Sequence, residues 1–368
     1  MPQSDLWIDL CSNTDNLFMR EYHVAYNAFH QLRFPDEQDP QMIMLIGDKS
    51  KTKAIRKFEL SLDNDGNHKK IHLQLAPENT KARSPILIAD CELHNAPPPS
   101  KASHTIAGVE HHPLVWHQHD STEGFDALSL VYLVYARLIS PISTLICFFA
   151  DDLGGTTAVA NLLASWLISL TYRSTDLPVS TYPRVLILTV DDSTLFSEEK
   201  ATLDFMKELE EETKARNGSF VQESNGLLDA LLRKQFGGLR VLALPNDVAS
   251  QEQSQSLKLD ASWKSLRTRI LQGSQRVQDR RRKAQVAFSA NHFKAFFHLS
   301  CAHFAEDIIT PFSFVKASRM ANPVPEDFSS HIGNFLRDIK GTLVESLAFP
   351  IIASAMTLDG YPPEMHSK

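Results

Sequence analysis

The sequence predicts an α/β protein: a mainly parallel six-stranded sheet with helices on both faces, followed by a helical C-terminal region. Six short apolar runs of strand length recur along residues 41–248, and most are separated by segments with helical spacing. Beyond a polar Gln/Ser linker at 249–256, the apolar spacing is helical throughout. We therefore expect an N-terminal helical lead-in over 1–40, a sheet domain over 41–248 and a helical region over 257–368.

The apolar runs differ in pattern. Every residue of 42–46 is apolar, which is typical of a strand buried on both faces, whereas 71–75 alternates and predicts an edge strand with one wet face. The predicted strands are 42–46, 71–75, 85–90, 144–149, 185–189 and 239–244. The helices predicted before and between them are 21–33, 53–60, 125–139, 156–172, 198–215 and 224–235.

Composition narrows the class of protein. The 368 residues are 43% hydrophobic and 22% charged, and the formal net charge is −7. No overall basic field favours nucleic acid, and no apolar run is long enough to cross a bilayer. The four cysteines have no Cys-x-x-Cys spacing, and the N-terminus lacks the basic and apolar regions of a signal peptide. We expect a cytoplasmic protein with reduced thiols, without nucleic-acid partners or a transmembrane segment.

The loop after the first of these strands resembles a degenerate phosphate-binding loop. Set against G-x-x-x-x-G-K-[ST], it keeps a glycine and a lysine at the required spacing, but Thr52 replaces the second glycine and Ala54 the final hydroxyl. A lysine there can contact phosphate oxygens beside a helix N-terminus, whereas Ala54 cannot ligate Mg²⁺. As an isolated match, a lysine-rich surface loop is the alternative. The candidate nucleotide-binding residues of this loop are Gly47, Asp48, Lys49, Ser50, Lys51, Thr52 and Lys53.

Two later strands end in acidic residues. The run at 85–90 ends in Asp90, with Glu92 close behind, and both are candidate ligands of Mg²⁺. The strand at 185–189 leads to Asp192, a candidate for base recognition that lacks the lysine of the usual motif. Because carboxyl ends of parallel strands meet at one edge of a sheet, we expect Lys53 and Asp90 to converge there. Strand capping and a plain turn are the alternatives for these acids.

In order, 41–57, 84–93, 130–166 and 184–192 resemble a P-loop GTPase-like domain of the dynamin or guanylate-binding-protein type. The runs FSANHF at 288–293, ASRMANPVP at 317–325 and IASAMTLDGYPPEMH at 352–366 resemble the segment that precedes the lipase in fungal patatin-like phospholipase fusion proteins. The sequence lacks a patatin domain and its G-x-S-x-G nucleophile motif, so lipase activity is not expected.

The resemblance implies a degenerate nucleotide-binding, pseudo-GTPase regulatory module that takes GTP or ATP with Mg²⁺ and hydrolyses it weakly or not at all. Leu93 stands where such GTPases carry the glycine that senses the γ-phosphate. The alternative is a nucleotide-free scaffold or oligomerisation module, which binds a protein partner or itself. An active dynamin-like GTPase ranks last, because Ala54 cannot complete the metal shell.

A histidine-rich segment invites a separate metal hypothesis. Five histidines fall within 104–119, and Glu110 is among the nearby acids. Their spacings match no closed structural zinc site, so a solvated loop is the favoured interpretation. The histidines are His104, His111, His112, His117 and His119.

Overall fold

The strands of the computed structural model form one mixed sheet, with a parallel half and an antiparallel half. The structure describes residues 5–12, 17–58, 70–76, 80–92, 100–101, 107–118, 127–169, 175, 177–190, 196–217, 227–245, 253–321, 327–339 and 344–360. In these ranges the strands are β1 (Leu6–Ser12), β2 (Leu17–Tyr22), β3 (Gln41–Ile46), β4 (Ile71–Leu75), β5 (Ile86–Cys91), β6 (Ser100–Lys101), β7 (Val109–Pro113), β8 (Leu145–Phe149), β9 (Arg184–Val190) and β10 (Leu239–Leu244).

Helices lie between many of the strands up to β10, and the elements named after β10 are helices. They are α1 (Asn27–His30), α2 (Lys49–Lys57), α3 (Val115–Gln118), α4 (Ala127–Leu133), α5 (Thr156–Ser169), α6 (Glu198–Asn217), α7 (Leu227–Gln235), α8 (Gln253–Lys283), α9 (Ala290–Glu306), α10 (Phe314–Ala321), α11 (Phe328–Asp338) and α12 (Phe349–Gly360). Turns of π-helix at Val134–Ile139 and Val344–Ala348 extend α4 and precede α12. No helix within the described ranges combines the length and hydropathy needed to span a membrane.

The sheet order is β10-β9-β8-β3-β5-β4-β1-β2-β7, with β6 beside β1. The five strands from β10 to β5 are parallel, and the pairs from β5–β4 to β2–β7 are antiparallel. The prediction of an α/β protein with strands at these positions is confirmed. The mainly parallel six-stranded sheet is corrected to a mixed sheet of ten strands among the described residues.

The N-terminal helical lead-in predicted over 1–40 is wrong for most of its described length. β1 and β2 pair antiparallel there, and helical structure is confined to the short turn His23–Tyr26 and α1. Trp7 and Ile8 are fully buried, so β1 contributes core residues to the sheet. The helix predicted over 21–33 is too long, although Ala25, Ala28 and Leu32 within it are buried.

The alternating strand β4 is interior and not an edge strand, because β1 pairs on its outer side. Its polar side chains nevertheless have partners. His72 Nδ1 lies 2.8 Å from Asp5 Oδ1, and Gln74 donates to the other oxygen of the same carboxylate. The alternation therefore reflects a hydrogen-bonded polar face and not a wet one.

Strand β3 lies in the middle of the parallel half, and its carboxyl end is a topological switch point. From β3 the chain first builds β4 and β5 on one side and then β8, β9 and β10 on the other. Loops that leave neighbouring strands in opposite directions open a crevice at such a point, where ligands of α/β proteins usually bind. The loop after β3 is therefore in the position that the sequence predicted for a binding site.

The two faces of the sheet are covered by different helices. Ile43, Leu45 and their neighbours pack with α2 and with Trp263 and Leu266 of α8, while Met44 and Ile46 face the opposite core with α5, α6 and α9. The long helix α8 therefore belongs to the helical layer that covers this face of the sheet.

Arg281 joins the carboxyl end of α8 by hydrogen bonds to the segments that precede β8 and β9. Its guanidinium is buried and donates to the carbonyl oxygens of Ile142, Ser143 and Thr181 at 3.0, 2.6 and 3.3 Å. Burial lowers the pKa of Arg281 to about 10. This pKa is still well above neutral pH, so the side chain stays charged. Arg281 belongs to a basic run at 276–283, and its burial means that this run is not solvated throughout.

We expect Arg281→Ala to lower the free energy of unfolding by on the order of 3 kcal/mol, because several buried carbonyls lose their donor. Arg276→Ala, one to two turns earlier on an exposed position of α8, is the matched control and should change little. Urea denaturation followed by circular dichroism measures both. Equal destabilisation by the two changes would contradict the role assigned to Arg281.

Candidate functional site

The amino end of α2 surrounds the carboxylate of Asp152, which comes from the turn after β8. The backbone N–H groups of Asp48 and Lys51 donate to Asp152 Oδ2 at 2.7 and 3.0 Å, and that of Ser50 donates to Oδ1 at 2.9 Å. The first amides of a helix have no partners within the helix and carry partial positive charge, so they favour an anion. Here the anion is a side chain of the same protein.

Gly47 allows this close approach. A Cβ atom on Gly47 would lie 2.7 Å from Asp152 Oδ2 and 2.8 Å from Phe149 Cβ, both inside van der Waals contact. The glycine that the sequence assigned to a phosphate loop therefore has a structural reason that involves no nucleotide.

The predicted loop is mostly helix. α2 begins at Lys49, so the residues from Lys49 to Lys53 are helical, and the expected helix start at residue 53 is corrected. Thr52 donates both its backbone N–H and its hydroxyl to the carbonyl of Asp48, at 2.9 and 2.8 Å. Because this segment has no glycine after Gly47, nothing in it opposes the helical conformation that Asp152 stabilises.

The expected convergence of Lys53 with Asp90 is corrected: Lys51 takes that position. Successive residues of a helix are rotated by about 100°, so side chains two apart leave opposite faces. Lys51 is fully buried, and its Nζ lies 2.5 Å from Asp90 Oδ1. Lys53 Nζ instead lies 5.9 Å from the ring centre of Trp263, on α8.

Lys51 also bonds to Glu92 and to the backbone between the two acids. Its Nζ donates to Glu92 Oε1 at 3.1 Å and to the carbonyl of Cys91 at 3.3 Å. Both candidate Mg²⁺ ligands, Asp90 and Glu92, are thus paired with one buried ammonium group. A metal ion here would have to displace a cation that the fold already supplies.

The prediction for Asp192 lies outside the described residues, as does Leu93. The last residue before that segment, Val190, donates its N–H to Asp151 Oδ2 at 2.8 Å. Asp151 and Asp152 therefore bond to the end of β9 and to the amino end of α2, at the same edge of the sheet. The glycines that follow, Gly154 and Gly155, have φ of +97° and +99°, which the tight turn into α5 requires.

Sequence reasoning missed the role of Asp152. Asp151 and Asp152 precede α5 in the chain, an order that favours a place near the amino end of that helix. The carboxylate of Asp152 points instead to the amino end of α2, because β8 lies directly beside β3 in the sheet. Only the strand order reveals this pairing.

A second cluster of titratable groups lies at the far side of the sheet. Glu21 of β2, Glu110 and His112 of β7, and His298 of α9 bring four potential ligand atoms within 4.8 Å of one another. Burial raises the pKa of Glu21, but hydrogen bonds from His112 and Tyr26 outweigh it and leave the pKa below its usual value. Of the histidine-rich segment, the cluster uses His112 and neighbouring Glu110; His104 and His119 lie outside the described residues.

Only a faint signal in the sequence indicated this cluster. Glu110 and His112 are two residues apart on a strand and so share one face. Nothing in the sequence linked them to Glu21 or His298, which are remote along the chain. Comparison with known proteins adds no assignment to either site: no family model matches the chain, and no curated protein is significantly similar to it.

We expect Lys51→Ala to lower the free energy of unfolding by about 3–5 kcal/mol, because it leaves the buried carboxylate of Asp90 without its cation. The measurement is chemical denaturation at neutral pH. Replacing both partners by apolar residues, as in Lys51→Met with Asp90→Leu, should restore much of that loss.

The matched control is Lys53→Ala, on the same helix. It removes a contact with the Trp263 ring, which contributes about 1 kcal/mol or less at such a site. A larger loss from Lys53→Ala than from Lys51→Ala would contradict the assignment of the buried cation.

Proposed function

We propose that this chain is a nucleotide-free scaffold module with a P-loop GTPase-like α/β domain, in which the Asp152 carboxylate takes the place of a bound phosphate. The observation that supports this proposal most directly is the set of three backbone N–H groups bonded to Asp152. They are the donors that a phosphate-binding loop would offer to its ligand. The module acts through contacts with a protein partner or a second copy of itself.

The charge arrangement supports the same function. A phosphate bound beside α2 would meet the negative charge of Asp152, and Mg²⁺ beside Asp90 would meet the positive charge of Lys51. Both ligands would have to break existing ionic hydrogen bonds. Each such bond contributes about 1.5–3 kcal/mol, so displacing the set opposes binding strongly.

A neighbouring groove is also unsuited to phosphates. It lies between α6 and the ends of β9 and α5, at the edge where base recognition was predicted. Its charged lining is Asp204, Lys207, Glu208 and Glu211, which has an excess of negative charge. Repulsion from these carboxylates disfavours a polyphosphate.

Exposed apolar side chains in the C-terminal helices support a role in association. Phe349 and Ile351 of α12 and Leu347 just before it are 56%, 43% and 46% exposed. Leu347 and Ile351 are four residues apart and so lie on one side of the helical segment, which is the side proposed here to contact another protein.

The proposal is tested with Asp152→Ala, which removes the carboxylate from the amino end of α2. We expect the wild-type protein to show no rise in melting temperature with inorganic phosphate, GTP or ATP. The variant should lose about 2–3 kcal/mol of unfolding free energy, because its helix amides lose their acceptor. Phosphate should then restore part of that loss, since the freed amides can bind it.

Asp151→Ala is the control, because it removes a neighbouring acid that accepts one N–H group from the end of β9. Phosphate should not stabilise this variant beyond the wild type. Saturable stabilisation of the wild-type protein by a nucleotide would refute the nucleotide-free proposal, since a ligand at 100 times its dissociation constant adds about 2.7 kcal/mol.

A regulatory nucleotide-binding module is the second candidate. It is favoured by the position of α2, Lys51 and Asp90 together at the switch point of the sheet. In this case Asp152 would have to move away when nucleotide arrives.

This second candidate predicts that GTP or ATP with Mg²⁺ binds the wild-type protein and binds Asp152→Ala more tightly, because the competing carboxylate is gone. Isothermal titration calorimetry measures both affinities. Lys51→Ala should weaken this binding and Lys53→Ala should not, because only Lys51 faces Asp90. Failure of any nucleotide to bind either protein would exclude this candidate.

A further inference from the structure

The antiparallel ladder between β2 and β7 places two carboxylates directly opposite each other. Glu21 pairs with Glu110, and His112 follows two residues along the same face, opposite Met19. Like charges directly opposite on one face of a sheet destabilise it. Moreover, Glu21 is fully buried, where an uncompensated carboxylate is costly. The arrangement therefore requires positive charge between the strands.

Histidines converge on this pair from two elements. His112 Nε2 lies 2.7 Å from Glu21 Oε2, and His298 Nδ1 lies 3.2 Å from the same oxygen. His298 Nδ1 is also 3.6 Å from Glu110 Oε2. α9 contacts β2 and β7, and it thereby brings His298 within reach of the other three groups.

We propose that Glu21, Glu110, His112 and His298 bind one divalent transition-metal ion, with zinc as the best match. The four ligand atoms, two imidazole nitrogens and two carboxylate oxygens, lie within 4.8 Å of one another. Zinc accepts four such ligands in tetrahedral geometry, whereas Mg²⁺ and Ca²⁺ require more oxygen ligands. The ion supplies the positive charge that the opposed carboxylates need.

The surroundings provide both support and access. The Tyr26 hydroxyl donates to the second oxygen of Glu21, an outer hydrogen bond that orients the ligand. The His23 Nε2 lies 3.4 Å from Glu110 Oε2 and can orient that carboxylate in the same way. The side chains of Glu110 and His298 are each 43% exposed, so an ion can enter from solvent on that side.

The site would join the antiparallel half of the sheet to the C-terminal helices. Its ligands come from β2, β7 and α9, whose sequence separation is large. Metal binding would stabilise the packing of α9 against β2 and β7, because the four ligands come together only when all three elements are in place. This inference does not depend on whether the loop after β3 binds nucleotide.

The test uses the full chain after removal of metals with EDTA. We expect isothermal titration with Zn²⁺ to give one site per chain and a higher melting temperature, and Mg²⁺ to give neither. Co²⁺ should give the intense visible absorption of a tetrahedral site. His298→Ala and Glu110→Gln, both at half-exposed positions, should each weaken Zn²⁺ binding by more than about tenfold.

His303→Ala is the matched control, because His303 lies on α9 and bonds to the Thr310 carbonyl away from the cluster. It should bind Zn²⁺ as the wild type does. Absence of Zn²⁺ binding by the wild-type chain, or equal affinity in the wild type, His298→Ala and Glu110→Gln, would overturn the proposal. The cluster would then be a network of hydrogen bonds between histidines and carboxylates.

Discussion

The contact between the Asp152 carboxylate and the first amides of α2 determines the organisation of the central crevice. It joins β3 to β8 beyond their ladder, and it starts α2 at Lys49. With the helix started there, Lys51 faces the end of β5 and Lys53 faces α8. The carboxylate of Asp152 therefore occupies the anion-binding position at the amino end of α2. Because it also determines where α2 begins, it directs the buried ammonium group of Lys51 toward the end of β5.

The two charged side chains at this edge of the sheet, Asp152 and Lys51, both have partners in the protein. Asp152 accepts hydrogen bonds from backbone N–H groups, and Lys51 forms ion pairs with Asp90 and Glu92. A phosphate-binding loop keeps its donors free for the ligand, at a cost in stability when the ligand is absent. Here the same donors bond to Asp152 and stabilise the folded chain. The cluster around Glu21 differs, because its two carboxylates oppose each other in one ladder.

The strands of the parallel half could be predicted because each is a continuous apolar run, and burial on both faces demands that pattern. In the antiparallel half, β4 was predicted but β1 and β2 were not. These two strands were assigned to a helical lead-in, whereas the helical spacing of that region belongs to the short turn His23–Tyr26 and α1, which follow β2. The polar residues of β4 indicated exposure, whereas Asp5 satisfies them in the interior of the sheet. A polar side chain in a sequence does not disclose whether water or protein is its partner.

The sequence by itself determined that the chain is α/β, where its parallel strands lie and that the loop after β3 occupies a crevice edge. Those properties follow from local apolar patterning and from chain order. Only the tertiary structure decided that Asp152 fills that loop, that Lys51 replaces Lys53, and that Glu21 and His298 meet Glu110 and His112. These pairings join residues far apart in the chain, and their geometry depends on strand order, ladder register and helix phase.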